Sequence, residues 1–248
     1  MCVFRAEEDR YVSGSFLDGG VWEQGRVQNV LQRLGSVPNS VLVDAGANIG
    51  TFVPPAAKLG HHVVAFEASP RTADLLRRSV LLNNLQDKVH LYVNGVTDYF
   101  GGAGMLVPSF NQGGGRVKED RRKRVDQPQY GIELLQMDFP TANISEDICG
   151  MPVAVLKIDI EGNEWRFLRG AESFIGHARP KLIMSELCTW WLEWTGCSPE
   201  LGLVELSKLG YSITVDGGQS VPVDRPLDDL RAWLDNGHRF TEIMAELK

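Results

Sequence analysis

No two of the four cysteines, Cys2, Cys149, Cys188 and Cys197, stand in a C-x-x-C pair. That absence excludes a zinc ribbon and a dithiol redox motif, and it fits reduced thiols in a cytoplasmic compartment. A broad basic face is missing too. With 25 Lys and Arg against 32 Asp and Glu, the formal charge is −7. A protein that tracks a phosphate backbone needs the opposite balance, so nucleic acid is not an expected partner and a small molecule is favoured. The opening stretch "MCVFRAEEDRYVSG" is charged and holds no apolar run, so neither a signal peptide nor a membrane segment is expected in this chain. Internal repeats and the dinucleotide fingerprint G-x-G-x-x-G are also absent.

What is present is an alternation of short apolar runs with helical stretches. Strands are expected at 40–44, 62–67, 89–94, 153–159, 181–186 and 211–215, and helices at 50–59, 70–84, 163–175 and 199–209. This is the pattern of a doubly wound, mostly parallel α/β sheet of Rossmann-like type. A chain of 248 residues buries one sizeable core, so residues 1–40 are expected to pack as an N-terminal segment on a single domain over 41–248. The alternation breaks around 100–150, where "GGAG", "GGG", the charged run Arg116 to Arg124 and the strand-like "YGIELLQMDF" point to an inserted loop and β segment. The charged run reads as a solvated loop or, more sharply, as a lid over residues 101–127.

The stretch "VLVDAGANIGTF" reads as a buried strand ending in a glycine turn that opens a helix. Ligands of doubly wound sheets sit beyond the carboxyl ends of the strands, which places Asp44, Gly46, Asn48 and Gly50 at a binding edge. The spacing G-x-x-x-G, with a carboxylate two residues before the first glycine, disfavours a pyrophosphate and favours a ligand carrying an ammonium or a cationic sulfur. Glu67 stands 21 residues after Gly46, at the end of the next strand, where Rossmann-type sites bind ribose hydroxyls. A cation joined to a ribose describes S-adenosylmethionine. Further on, "VLKIDIEGNEWRFLRGA" carries Lys157, Asp159 and Glu161 at alternate positions, on one side of a strand if its geometry persists that far. Alternating charges suit the wall of a cleft better than a core, because burying unpaired charge is costly. A Lys157–Asp159 ion pair beside a helix-capping Glu161 is the structural alternative.

Together, "VLVDAGANIGTF", "VVAFEASP", "NQGGGRV" and "LKIDIEGNEWRFLRGA" resemble the FkbM family of S-adenosylmethionine-dependent methyltransferases, over about 41–186. The resemblance implies the class I methyltransferase fold and O-methylation of a hydroxyl on a sugar, glycolipid or other small metabolite. Asp44 and the Gly46–Gly50 backbone would hold the methionine end of the donor, Glu67 the ribose, and the region from Asn94 to Asp98 the adenine. Asp159 and Glu161 would face the acceptor hydroxyl. Activation of that hydroxyl has two open routes: a carboxylate base, or a Mg²⁺ shared by Asp159 and Glu186. One departure from the family pattern is Pro54 and Pro55 where the first helix should run; either that helix starts near Val53 or the turn is remodelled. "ELCTWWLEWTG" sets three tryptophans after the fifth strand, for core packing, a homo-oligomer interface or an aromatic platform, and Tyr11 and Trp22 are further candidates for contact with a small-molecule or glycan acceptor. The competing readings are a catalytically inactive nucleoside-binding protein of the same fold and, more distantly, an NAD-dependent oxidoreductase.

Overall fold

The computed structural model describes residues 1–118, 130–136, 148, 150–215 and 218–248. Two helices, α1 (Val12–Leu17) and α2 (Gln24–Gly35), precede strand β1 (Val41–Ala45). There follow α3 (Val53–Lys58), β2 (His62–Phe66), α4 (Pro70–Leu82) and β3 (Val89–Tyr92). A second group holds β4 (Gly95–Thr97), β5 (Gly101–Leu106), β6 (Arg116–Lys118) and β7 (Tyr130–Gln136). The chain then returns through β8 (Val153–Ile158), α5 (Glu164–Gly170), α6 (Glu172–Ala178), β9 (Leu182–Cys188) and α7 (Thr189–Trp194). It closes with α8 (Pro199–Lys208), β10 (Tyr211–Val215), α9 (Leu227–Asp235) and β11 (Phe240–Leu247).

The main sheet runs β10-β11-β9-β8-β1-β2-β3, parallel from β9 to β3, with β11 antiparallel to both its neighbours. Its central strands β1 and β8 are buried on both faces, as crossover helices demand. Val41, Val43 and Ala45 of β1 join Leu156 and Ile158 of β8 and the apolar faces of α5, α6, α8 and α9 in one core layer. Leu42, Val63, Val155 and Met184 point the other way, against α2, α3 and α4. The period of two therefore sends Asp44 and Lys157, which are register partners across β1 and β8, to the side that α2 covers.

Most of the expected alternation is found, with differences that have local causes. The first helix does begin at Val53, which puts Pro54 and Pro55 in its first turn, where the N–H groups they lack have no helical partner in any case. Ser69 caps α4 by accepting from the Thr72 N–H at 3.3 Å, ahead of Pro70. The helix expected over 163–175 is two, broken at Ala171, where the preceding Gly170 lies against Thr97. Elements α1, α2, α7, α9 and β11 were not expected. The insertion forms a sheet of order β4-β7-β5-β6 around Met105, Val107, Ile132 and Leu134, and the basic residues Arg121 to Arg124 of the expected lid lie outside the described residues.

The segment before β1 is tied into the domain by Val27, Val30 and Leu34 of α2, which pack in the same layer as Leu42 and Val63. Leu34 is fully buried. Truncating it to Ala should lower the unfolding free energy by about 2–5 kcal/mol, through lost transfer energy and the cavity left behind. Urea denaturation of Leu34→Ala should keep a single transition moved to lower urea; an unmoved transition would show that α2 is not integral to the core.

Candidate active site

β1 and β8 lie side by side, and the chain leaves them in opposite directions, so the sheet's strand order reverses between them. A cavity of about 510 Å³ opens above their carboxyl ends, where the crevice of a doubly wound sheet takes its ligand. Its floor is the glycine turn. Gly46 has φ +86°, and a Cβ there would stand 1.8 Å from the carbonyl oxygen of Asp159, so no other residue fits. Its N–H and that of Ala47 both donate to the Phe66 carbonyl, at 3.0 and 2.9 Å, which fixes the turn to the end of β2.

Asn48, also at positive φ, lines the cavity and donates its backbone N–H to Glu67 Oε2 at 2.8 Å. The Ser69 N–H donates to Glu67 Oε1 at 2.8 Å. Glu67 faces the cavity yet is only 7% exposed, and burial pushes its carboxyl up to about 7 against the opposing pull of those two N–H donors. Gly50 does not line the cavity. At φ +100° it packs against α4, where a Cβ would meet Leu76 Cδ1 at 2.5 Å, so its part is to let α4 approach the turn.

Asp44 also departs from direct contact. It is fully buried and absent from the cavity surface, because the strand's alternation turns it beneath the glycine turn. There it pairs with Lys157, whose Nζ lies 3.2 Å from Asp44 Oδ1, 3.7 Å from Asp159 Oδ2 and 2.7 Å from the Gly46 carbonyl, to which it donates. Burial pushes the Asp44 carboxyl up while Lys157 opposes it. Burial would lower the Lys157 ammonium, but Asp44, Asp159 and Glu23 outweigh it and the net shift is upward, so the proton stays on Lys157. Lys157 and Asp159 both line the cavity.

Strand geometry does not persist to Glu161. β8 ends at Ile158, and Glu161 takes φ +58° in a turn held by Glu164, whose Oε1 accepts the N–H groups of Ile160 and Gly162 at 3.1 Å each. Glu164, not Glu161, thus closes the helix entry. Glu161 faces Arg116 of β6, 3.6 Å from Arg116 Nε, and the Arg116 guanidinium lies 3.9 Å from the ring centroid of Trp191. Burial, then Asp159, pushes Glu161 up to about 8. Glu186, at the end of β9, is raised by the same two causes in the same order. Asp159, Glu161 and Glu186 all line the cavity.

Asp98 does not. Gly170 of α5 approaches so closely that a Cβ would stand 2.3 Å from the Thr97 carbonyl oxygen and 2.8 Å from Asp98 Cα, and this packing draws Asp98 away to pair with Arg169. Asn94, Gly95 and Val96 form that wall instead. Of the three clustered tryptophans, only Trp191 lines the cavity; Trp190 stacks on Phe240 outside it, with ring centroids 5.9 Å apart, and Trp194 is exposed. Tyr11 and Trp22 do reach the cavity, with Glu23 beside them. Among the described residues no group of three or more His, Cys, Asp or Glu side chains could hold a metal ion, and no helix is long and apolar enough to cross a membrane.

Sequence reasoning did not single out Arg116, Asn163, Glu164 or Glu23 for the site. Glu164 follows no capping-box pattern, since the residue three before it is Glu161 and not Ser or Thr. Arg116 sat at the head of a charged run that read as solvated, and Glu23 offered no pattern at all.

A family model described as the methyltransferase FkbM domain matches residues 44–239. The chain is 27% identical over 214 residues to methyltransferase sdnD of Sordaria araneosa, covering 74% of this chain and 78% of that protein. Among solved structures it is similar to the methyltransferase FkbM of Methylobacillus flagellatus KT, at 15% identity and TM-score 0.46, over 84% of this chain and 43% of that one. It is similar as well to the magnesium protoporphyrin IX methyltransferase ChlM of Synechocystis PCC 6803, solved with bound SAM, at 11% identity and TM-score 0.48, over 96% of this chain and 84% of that one.

The buried pair beneath the turn makes a prediction. Lys157→Met leaves Asp44 buried and unpaired, which should cost about 3–5 kcal/mol of stability. In the double variant Asp44→Asn/Lys157→Met the charge is gone, so the loss should be smaller than in Lys157→Met alone. Equal losses in urea denaturation would mean that the ion pair does not govern the turn.

Proposed function

The chain belongs to the FkbM methyltransferase family, and from that premise and the cavity's chemistry we propose that it transfers the methyl group of S-adenosylmethionine to a hydroxyl oxygen of a sugar, glycolipid or other small metabolite. One observation carries the reading: the glycine turn and Glu67 meet the acidic wall of Asp159, Glu161 and Glu186 in one cavity at the point where the strand order reverses.

Glu67 takes the ribose hydroxyls, since each of its carboxylate oxygens has accepting capacity beyond the single N–H it now holds. The adenine lies along Asn94 to Val96. Asp44 acts through Lys157, which fixes the Gly46 carbonyl and Asp159 at the sulfonium end; the carboxylates there suit a donor bearing two positive charges. The acceptor hydroxyl lies toward Glu186. Of the three acidic side chains Glu186 is the base: Asp159 is held by Lys157 and Glu161 by Arg116, and a carboxyl raised by burial is a stronger base once ionised. A hydroxyl lone pair forms the new O–CH₃ bond, the S–CH₃ bonding pair stays on sulfur, and the hydroxyl proton passes to Glu186.

Donor binding is tested at Glu67. Glu67→Gln sets an amide NH₂ against a backbone N–H, so affinity for S-adenosylhomocysteine should fall by about 1.5–3 kcal/mol, the loss of a hydrogen bond to a charged group. Titration calorimetry checks this, and it should also show wild-type affinity weakening as pH falls through about 7, because ribose hydroxyls favour the ionised carboxylate. Unchanged affinity in the variant would remove the ribose assignment.

The base is tested by turnover. Glu186→Gln should lower kcat by about 100-fold or more, the scale of general-base catalysis, with donor affinity kept. A base with a raised pKa must lose its proton to act, so wild-type kcat should rise with pH through the neutral-to-alkaline range. Asp159→Asn should also lose turnover with donor affinity nearly kept. Loss of activity in EDTA, restored by Mg²⁺, would replace the base route with a metal shared by Asp159 and Glu186.

A further inference from the structure

Glu23 lines the cavity, yet the reaction described above gives it no part. Its backbone lies in the left-handed region, at φ 53° and ψ 37°, at the N-cap of α2, and its side chain makes no capping hydrogen bond there. Sterics disfavour that conformation for any residue with a Cβ, and residues held in it gather at active sites and ligand clamps. Behind it, Val27, Val30 and Leu34 fix α2 in the core, so Glu23 is presented to the cavity from a rigid element.

The surrounding charges locate the side chain, which is 18% exposed. Burial raises the Glu23 carboxyl and Arg26 opposes that; the next charges to act on it are Asp159, which raises it, and Lys157, which lowers it. Glu23 therefore stands at the Lys157 and Asp159 end of the cavity, where the sulfur of the donor is placed. Its ion pair with Arg26 runs through Oε1 at 2.6 Å, and Arg26 also meets Glu242 at 2.5 Å. One guanidinium against two carboxylates leaves the trio negative, and a carboxylate has acceptor sites beyond the one that Arg26 fills.

The donor carries an α-ammonium on the third carbon from sulfur, and the other acidic groups at this end are already engaged. Asp44 is sealed beneath the turn, and the Gly46 carbonyl accepts from Lys157. Asp159 is held by Lys157 and Glu161 by Arg116. Glu186 faces the acceptor. A primary ammonium presents three N–H donors and a sulfonium presents none, so a carboxylate with unused lone pairs suits the ammonium.

We propose that Glu23 binds the α-ammonium of the donor's methionine moiety, so that the N-terminal segment, which precedes the family domain beginning at Asp44, completes the donor site. This rests on the methyl-transfer reading above and adds to it the residue that takes the second positive charge. Glu23 orients the methionine end and exchanges no proton with the acceptor.

S-adenosylhomocysteine lacks the sulfonium, so the ammonium is its only fixed cation. Titration calorimetry on the full chain compares it with its deamino analogue, 5′-S-(3-carboxypropyl)-5′-thioadenosine, in the wild type and in Glu23→Gln, which keeps the side chain's shape and leaves Arg26 its pair with Glu242. The wild type should bind S-adenosylhomocysteine about tenfold tighter than the analogue, and Glu23→Gln should remove about that factor, the effect of one hydrogen bond between charged groups. The analogue should bind both proteins within about twofold, which also shows that the variant folds. Equal weakening of both ligands in Glu23→Gln overturns the proposal, because Glu23 then only shapes the wall. Selectivity that survives the substitution, or is missing from the wild type, overturns it as well. If S-adenosylhomocysteine itself fails to bind the wild type, the methyl-transfer reading falls and this assignment falls with it.

Discussion

The site is organised around one buried ammonium. Lys157 reaches the carbonyl of Gly46, the carboxylate of Asp44 and the carboxylate of Asp159 from a single position on β8, and so locks the ends of the two central strands together. Burying a charge this deeply is unfavourable unless partners surround it, and here two carboxylates and a carbonyl do so. The same crowding explains the glycine. With the Gly46 turn drawn down onto the Asp159 backbone, no side chain fits between them. Position, charge and backbone conformation at the strand-order reversal therefore depend on one another, and a change in any of them moves the cavity floor.

Acidic groups dominate what is built on that floor. Glu23, Glu67, Asp159, Glu161 and Glu186 line the cavity against Lys157 and Arg116. Burial and mutual repulsion raise several of these carboxyls, which costs stability while the cavity is empty. A donor with a sulfonium and an ammonium, net positive despite its own carboxylate, relieves that repulsion, so the empty site is electrostatically prepared for a positive ligand. Arg26 supplies a fixed counter-charge from α2, at 2.6 Å from Glu23 and 2.5 Å from Glu242, and keeps the cluster from being acidic throughout. The unexpected N-terminal helix thus contributes to the site's charge as well as to the core.

Legibility in the sequence followed how local each cause was. The parallel strands, the glycine turn and the Ser69 cap announce themselves in short windows, because hydrophobic period and turn chemistry act over a few residues. The positions of Glu67, Asp159 and Glu186 at strand ends were legible for the same reason. Asp44 was legible as important but not as buried: which face of β1 it takes depends on α2 crossing that side of the sheet, and α2 itself was missed. Asp98 failed because the approach of Gly170 to Thr97, remote in sequence, decides where its side chain goes. β11 carries its period-2 pattern in Thr241, Ile243 and Ala245, yet Glu242 and Glu246 masked it; both are satisfied by arginines of α2, a pairing no local window contains.

The walls of the cavity come from parts of the chain with different constraints. The floor is made by strand ends that the core fixes, whereas the roof is made by the N-terminal segment, with Tyr11 and Trp22, by the loop leading into β6, with Asn111, and by Arg116 at the start of β6. These two roof pieces meet, since the Arg10 N–H donates to the Phe110 carbonyl at 3.1 Å and the Arg10 guanidinium lies over the Phe110 ring. Loops on a rigid scaffold can change their contacts without disturbing the sheet, so under the proposed reading the donor end rests on the part of the fold least able to vary, while the roof over the acceptor comes from the part most able to. A methyl donor is the same for every acceptor, and that division places the constant partner on the constant frame.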